Sequence, residues 1–141
     1  MSDKSFFDSN VLLYLVSADV ARADRAEALL AGGGTVSVQV LNEISNVAMR
    51  KHGMDWLQVG TLLEPVRALC RVESLTEATY DLGRQLALRY CLSVYDAMIV
   101  ASALEAGCTT LWSEDMHHGL LVDGQLRIRN PFLPHAVHES L

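Results

Sequence analysis

Four acidic residues stand at positions where an ordinary surface carboxylate is not expected. Each follows a strand-like segment or lies on the apolar side or at the start of a predicted helix. Three of them are Asp8, Glu43 and Asp96, and the fourth is one of the adjacent pair Glu114 and Asp115. Carboxylates gathered in one place repel one another, and a hard divalent cation is the usual reason that a protein tolerates them. The four acids therefore indicate a cation site if the fold brings them together.

Three of these acids also have a simpler structural explanation. Asp8 and Asp96 are both placed to cap a helix, and Asp96 completes the pattern Ser93-Val94-Tyr95-Asp96, which is typical of a capping box. Glu43 lies too deep in its helix to cap it, and a salt bridge to a nearby arginine is its structural alternative. It lies in line with the apolar residues Val40 and Val47, one helical turn away on either side, so its carboxylate is expected to face the core and to need a partner. The residues taken singly leave these alternatives open.

The elements that must position the acids alternate between strands and helices. Strands are predicted over 5–7, 35–36, 71–75 and 109–112, and a tight turn at Asp123-Gly124 joins two further strand-like segments. Helices are predicted over 11–16, 21–31, 37–53, 55–69, 76–90 and 93–107. This alternation predicts an α/β protein, a three-layer α/β/α sandwich with a mostly parallel central sheet. Ligands of such a sheet bind near the carboxyl ends of its strands.

Short-range signals set the expected helix boundaries. Asp19 is placed to cap the second helix and Ser37 the third, and Gly53 is placed to end the third. Pro65 falls inside the fourth helix and is expected to bend or split it.

The composition favours one domain, 1–141, and argues against several classes of protein. The net charge of −6 argues against a protein that binds nucleic acid through a broad basic face. The three cysteines lack a Cys-x-x-Cys pair, which argues against a zinc site. No apolar run approaches the roughly 20 residues of a membrane span, and the N-terminus leads directly into a strand-like segment. We therefore expect a cytoplasmic protein that does not enter a membrane.

The order and spacing of several motifs resemble a known family, the PIN domain, and particularly the VapC-like toxins of toxin–antitoxin pairs. The motifs are Phe6-Phe7-Asp8-Ser9-Asn10-Val11-Leu12, Glu43, Tyr95-Asp96-Ala97, Ser113-Glu114-Asp115 and Asn130-Pro131-Phe132. The resemblance covers nearly the whole chain. It implies a metal-dependent endoribonuclease that hydrolyses RNA phosphodiester bonds with Mg²⁺ or Mn²⁺.

The resemblance also implies which residues form the site and what the protein binds. The implied metal ligands and catalytic residues are Asp8, Glu43, Asp96 and Asp115. Asn10 and Ser113 are implied as supporting polar groups, and Glu114 stands beside them with its membership in the site left open. The implied partners are RNA, a cognate antitoxin protein and a second copy of the chain in a homodimer.

Local cations are expected to hold the RNA despite the negative net charge. The best candidates are Arg50 and Lys51, which follow Glu43 on its helix, and Arg127 and Arg129 near the C-terminus. Ordinary solvated surface is the alternative for all four.

Two other functions use the same residues. A phosphatase of haloacid-dehalogenase type would need a second aspartate where Asn10 stands, and an amide cannot act as its general acid. A catalytically silent PIN-like module that only binds RNA or protein is the other alternative, and a metal-binding titration would separate it from the enzyme.

Overall fold

The computed structural model describes residues 4–134. The two ends of the expected domain 1–141, including the N-terminal residues before Lys4, lie outside the described residues.

A six-stranded sheet forms the centre of the protein. Its strands are β1 Ser5–Phe7, β2 Gly34–Ser37, β3 Cys70–Glu73, β4 Thr110–Trp112, β5 Leu121–Val122 and β6 Leu126–Arg129, in the order β3-β2-β1-β4-β6-β5. All neighbouring strands are parallel except the hairpin of β5 and β6. Phe7 pairs with Trp112, so the carboxyl ends of β1 and β4 lie side by side at the middle of the sheet. The mostly parallel α/β sandwich predicted from the sequence is confirmed.

Within residues 4–134, six α-helices connect and cover these strands. They are α1 Ser9–Leu12, α2 Val20–Ala31, α3 Val38–His52, α4 Trp56–Leu69, α5 Glu77–Tyr90 and α6 Val94–Glu105. All three residues of β4 are buried although they alternate between the faces of the sheet, which means that both faces are covered. No single helix of the described chain has the length and hydrophobicity to cross a membrane; α5 and α6 reach that length only as a pair bent by 114°.

Most helix boundaries follow the local signals that predict them. The side chain of Asp19 accepts a hydrogen bond from the backbone N–H of Arg22, and that of Ser37 accepts one from Val40. Gly53 ends α3 in the left-handed conformation with φ of 64°, where a side chain would be strained. These contacts satisfy backbone groups that a helix end otherwise leaves without partners.

Two segments differ from the sequence-based expectation. The helix expected over 11–16 is a single turn of α1 followed by a 3₁₀ helix, Leu13–Val16. Pro65 does not split α4, which continues through it to Leu69. The residue is exposed and lies near the end of the helix, so its missing N–H removes only one bond and its ring meets solvent.

Gly34 allows β2 to approach β1 closely. A Cβ atom at this position would lie 2.5 Å from Cε2 of Phe7 and 2.8 Å from the carbonyl oxygen of Ser5. Any larger residue would push β2 away from the strand that leads to Asp8.

Candidate active site

Asp8 lies at the carboxyl edge of the sheet, between β1 and α1. Its backbone N–H donates to the carbonyl of Trp112 at 3.0 Å, which extends the pairing of β1 with β4 by one residue. Its side chain is 4% exposed. Oδ1 accepts from the backbone N–H of Ser9 at 2.7 Å, and Oδ2 accepts from Ser113 Oγ at 2.8 Å and from Asn10 Nδ2 at 3.2 Å. Asp8 therefore does cap α1, but the cap uses only one of its two oxygens.

Burial raises the pKa of Asp8 from 3.8 to about 7. The hydrogen bond from Ser113 acts in the opposite direction, and the negative charges of Glu43 and Asp96 raise the pKa further. The fold thus holds a carboxylate at a place where its charged form is disfavoured. A bound cation would reverse this preference, because opposite charge favours the ionised form.

Ser9 connects Asp8 to Glu43. Its hydroxyl donates to Glu43 Oε1 at 3.2 Å and lies 3.5 Å from Asp8 Oδ1. Ser9 was not predicted as a site residue, although it lies inside the motif that begins at Phe6. The sequence feature that could have predicted Ser9 as a site residue is its position directly after Asp8. A side chain at the start of a helix there stays near the edge of the sheet.

Glu43 and Asp96 are both half-buried and repel each other. Burial is the main cause that raises the pKa of each, while hydrogen bonds from Ser9 to Glu43 and from Ser93 to Asp96 act in the opposite direction. No residue among 4–134 forms an ion pair with Glu43, so the expected structural alternative, an arginine partner, is not found there. Ser93 Oγ accepts from the backbone N–H of Asp96 at 3.3 Å, which makes Ser93 the cap of α6.

A buried amide fixes α3 and α6 relative to each other. Gln39 Nε2 donates to the carbonyl of Tyr95 at 3.0 Å, one turn before Glu43 on α3 and next to Asp96 on α6. Gln39 was not predicted from the sequence, because its partner lies 56 residues away. It positions the two helices that carry Glu43 and Asp96.

Asp115 completes the group from the loop after β4. It is exposed, and its charge raises the pKa of Asp96. Through these pairwise repulsions all four predicted acids belong to one electrostatic cluster, although within residues 4–134 no three acidic, histidine or cysteine side chains already form a closed set of metal ligands.

The donors at this site fit a hard cation. They are carboxylate, hydroxyl and amide oxygens, which suit Mg²⁺ or Mn²⁺, whereas the thiols of Cys70 and Cys108 are buried in the core.

Asn10 and Ser113 hold the loop that carries Asp115. Asn10 Nδ2 lies 3.4 Å from Ser113 Oγ, and Asn10 Oδ1 accepts from the backbone N–H of Glu114 at 3.1 Å. Ser113 Oγ also accepts from the backbone N–H of Met116 at 3.3 Å. These two side chains therefore support the site by fixing Asp8 and the loop together.

Glu114 points into a separate cluster with Tyr14 and Arg22. Tyr14 Oη donates to Glu114 Oε1 at 2.7 Å, and Arg22 Nη1 donates to Tyr14 Oη at 2.8 Å and pairs with Glu114 Oε2. The Arg22 guanidinium also lies 5.2 Å from the ring centroids of Tyr14 and Phe132. The charge of Glu114 is thus already paired, and the cluster fixes the loop between Ser113 and Asp115 against α2.

This cluster should stabilise the protein more than an exposed ion pair does. We expect a double-mutant cycle of Arg22→Met and Glu114→Gln, measured by urea denaturation, to give a larger coupling than an exposed ion pair gives, because the pair shares a hydrogen bond with Tyr14 and its side chains are 40% and 25% exposed. The matched control is the pair Arg71–Glu73, whose arginine is 77% exposed and whose coupling should not exceed about 0.5 kcal/mol. Equal couplings would show that the cluster is only a surface pair.

A groove of about 630 Å³ opens beside the acids, and we call it the α3 groove. Its lining runs from the site to the end of α3 and consists of Asn10, Leu13, Tyr14, Val16, Ser17, Ala18, Val47, Lys51, His52, Glu114 and Asp115. Among the described residues the lining includes Lys51 but not its exposed neighbour Arg50. Lys51 and Arg50 are equal candidates from the sequence, but in the structure only Lys51 of the two lines the groove.

The other two predicted RNA-binding cations lie away from this groove. Arg127 donates to the carbonyl of Gly119 at 2.8 Å, and Arg129 lies 5.5 Å from the ring centroid of Trp112. Arg129 lines a different cavity of about 580 Å³, together with Lys4 and Arg71.

Comparison of the sequence with models of known protein families identifies one matching family. The sequence model described as "PIN domain" matches residues 5–118, which is most of the chain. No curated protein sequence is significantly similar to it.

Several solved structures are similar in fold. VapC20 from Mycobacterium tuberculosis, described as a toxin that cleaves the sarcin-ricin loop, is 22% identical with a TM-score of 0.65, over 79% of this chain and 90% of that one. A toxin–antitoxin complex from Klebsiella pneumoniae is 18% identical with a TM-score of 0.68, over 92% and 98%. FitAcB from Neisseria gonorrhoeae is 18% identical with a TM-score of 0.59, over 91% and 98%. At these identities the likeness establishes the fold.

Proposed function

Because this chain belongs to the PIN domain family, we propose that it is a Mg²⁺- or Mn²⁺-dependent endoribonuclease and the toxin of a toxin–antitoxin pair. The observation that carries the proposal is the cluster of four mutually repelling acids at the carboxyl edge of a parallel sheet. Three of them have pKa values raised mainly by burial, so the fold keeps them at a cost to its own stability. A role in binding a cation explains why that cost is tolerated.

In the proposed reaction Asp8, Glu43, Asp96 and Asp115 would hold the cation. When bound, the cation supplies a Lewis acid for the scissile phosphate and lowers the pKa of an attacking water. Ser113 and Asn10 hold one oxygen of Asp8 in place, while the N–H of Ser9 holds the other. The Ser9 hydroxyl orients Glu43. The protein's own contribution is therefore to keep ligand oxygens oriented before substrate arrives.

Metal dependence is the direct test of this function. We expect cleavage of single-stranded RNA in Mg²⁺ or Mn²⁺, and a loss of at least about a hundredfold in EDTA, because in-line hydrolysis at this site needs the cation's charge. Cleavage is followed on labelled RNA by gel, and metal binding by calorimetry. Protein carrying Asp115→Asn and purified in parallel controls for contaminating ribonuclease, since the residue is exposed and we expect its replacement to leave the fold intact.

Three results would contradict the proposal. Cleavage that continues unchanged in EDTA would exclude the metal mechanism. Metal and RNA binding without cleavage would favour the catalytically silent module, and phosphate release from a simple monoester would favour a phosphatase.

The proposed antitoxin has a plausible place to bind. A groove of about 660 Å³ between α2 and α4 is largely apolar and is lined in part by Leu15, Leu30, Leu62 and Leu69. An amphipathic helix of the antitoxin would bury its apolar face there. The similar structure from Klebsiella pneumoniae is described as a toxin–antitoxin complex, which supports a protein partner of this class.

We further propose that the protein acts as a homodimer in the cytoplasm. Exposed apolar side chains at the start of α6, Val94 and Tyr95, are available to a second copy. Sedimentation of the purified chain with and without its antitoxin would establish the oligomeric state.

A further inference from the structure

We propose that the α3 groove binds a nucleotide adjoining the scissile phosphate of single-stranded RNA, with Lys51 on the phosphate and an apolar floor beneath the base. This inference rests on the proposed ribonuclease function and adds a substrate subsite to it. Of the four cations predicted from the sequence to bind RNA, it assigns this subsite to Lys51 alone and not to Arg50, Arg127 or Arg129.

The groove is continuous with the acid cluster. Asn10, which donates to Asp8, and Asp115 both line it. A chain that places one phosphate at the acids can therefore continue along a surface that begins with these two residues. The volume of the groove, about 630 Å³, is sufficient to take a nucleotide.

One face of α3 connects the acids to the far end of the groove. Glu43, Val47 and Lys51 follow one another at intervals of four residues and so lie along the same side of the helix. The eight residues from Glu43 to Lys51 correspond to about 12 Å along the helix axis. Lys51 is therefore placed to reach a phosphate one or two nucleotides from the bond that is cut, as a point charge on a flexible stem.

The walls of the groove suit an unstacked base. Leu13, Val16 and Val47 supply apolar surface, and Tyr14 with Glu114 supplies a polar wall. Arg22 already pairs with Glu114, so that carboxylate does not cancel the attraction of Lys51 for a phosphate. A base can pack against such side chains only when it is not stacked on neighbouring bases. Proteins bind single-stranded RNA through unstacked bases of this kind.

The test is a titration followed by protein NMR in Mg²⁺ buffer. Each of the four nucleoside 5′-monophosphates and, separately, inorganic phosphate are added to the full chain, and backbone amide shifts locate the site. We expect the largest shifts at Leu13, Val16, Val47 and Lys51, and at least one nucleotide should bind more tightly than inorganic phosphate. Lys51→Ala should weaken the binding of both ligands at least about fivefold, because it removes the phosphate contact.

Arg50→Ala is the matched control and should change affinity less than about twofold, since Arg50 has the same charge and adjoins Lys51 but does not line the groove.

The contact with the base has its own test. Val47→Ser should weaken the binding of the nucleotide about threefold and leave the binding of inorganic phosphate unchanged. Val16→Ser repeats this test if Val47→Ser melts at a lower temperature than wild type. Three results would each overturn the proposal. The first is an equal loss of affinity in Lys51→Ala and Arg50→Ala, and the second is a set of amide shifts centred on Lys4, Arg71 and Arg129. The third is nucleotides that bind no more tightly than inorganic phosphate. Failure of the ribonuclease function would appear separately, as absent RNA cleavage by the wild-type protein.

Discussion

Replacing Asp8 by asparagine is expected to reduce RNA cleavage by a factor of at least about 1,000. Asp8 is the most buried of the four acids, and its oxygens are held by Ser9, Asn10 and Ser113 at the end of β1. An amide lacks the charge that favours a divalent cation, and its NH₂ group would face the donors of Asn10 and Ser113. Single-turnover cleavage of labelled RNA at saturating Mg²⁺ measures the effect.

A matched control uses an aspartate that is exposed and outside the site. Asp24→Asn on α2 makes the same chemical change and should cleave at the wild-type rate. Because the new amide disturbs hydrogen bonds around position 8, the melting temperature of Asp8→Asn must be compared with that of wild type. Asp115→Asn tests the loss of cleavage a second time, at an acid that is exposed. Near-normal cleavage by a folded Asp8→Asn protein would mean that Asp8 is a helix cap alone.

In metal-free buffer, stability should fall as pH rises from about 4 to about 7. The folded protein holds the Asp8 proton up to a pKa of about 7, whereas the unfolded chain releases it near the ordinary value of 3.8. Below about pH 4 both states are protonated and no penalty exists. Between these values only the unfolded state ionises, so unfolding becomes more favourable, and the full penalty from Asp8 is roughly 4 kcal/mol above pH 7.

Urea denaturation in EDTA at several pH values between 4.5 and 7.5 tests this dependence. The free energy of unfolding of wild type minus that of Asp8→Asn isolates the contribution of Asp8, and this difference should become more negative as pH rises. Asp24→Asn should instead run parallel to wild type. Added Mg²⁺ should flatten the wild-type dependence, because a bound cation favours the ionised form. A difference that does not change with pH would mean that Asp8 ionises normally in the folded protein.

Local signals in the sequence predicted most of the fold. Caps such as Asp19 and Ser37 act within three residues, so the sequence contains both the cap and the backbone that it satisfies. The alternation of strands and helices then limits the topology, and the resemblance to the PIN domain is confirmed by the family match. The 3₁₀ helix after α1 was missed because apolar content alone does not distinguish it from a longer α-helix.

The parts of the site that escaped prediction depend on partners far apart in the chain. Tyr14 contacts Glu114 across 100 residues, and Arg22 reaches it across 92. No spacing rule connects such positions before the strand order is known. The same reason explains why Lys51 and Arg50 could not be separated, since the groove wall that distinguishes them comes from Tyr14 and from the loop after β4.

The pairing of β1 with β4 sets the time at which the site can exist during synthesis. Asp8 and Ser113 are bonded to each other across 105 residues, and β1 has β4 as one of its two neighbours in the sheet. At translation rates of about 5–20 residues per second, the first strand is made roughly 5 to 20 seconds before the segment that holds its aspartate in place. A nascent or truncated chain that ends before Ser113 therefore lacks both Asp115 and the hydrogen bond that Ser113 donates to Asp8. The proposed metal site therefore cannot be complete in a nascent chain until synthesis has passed Asp115.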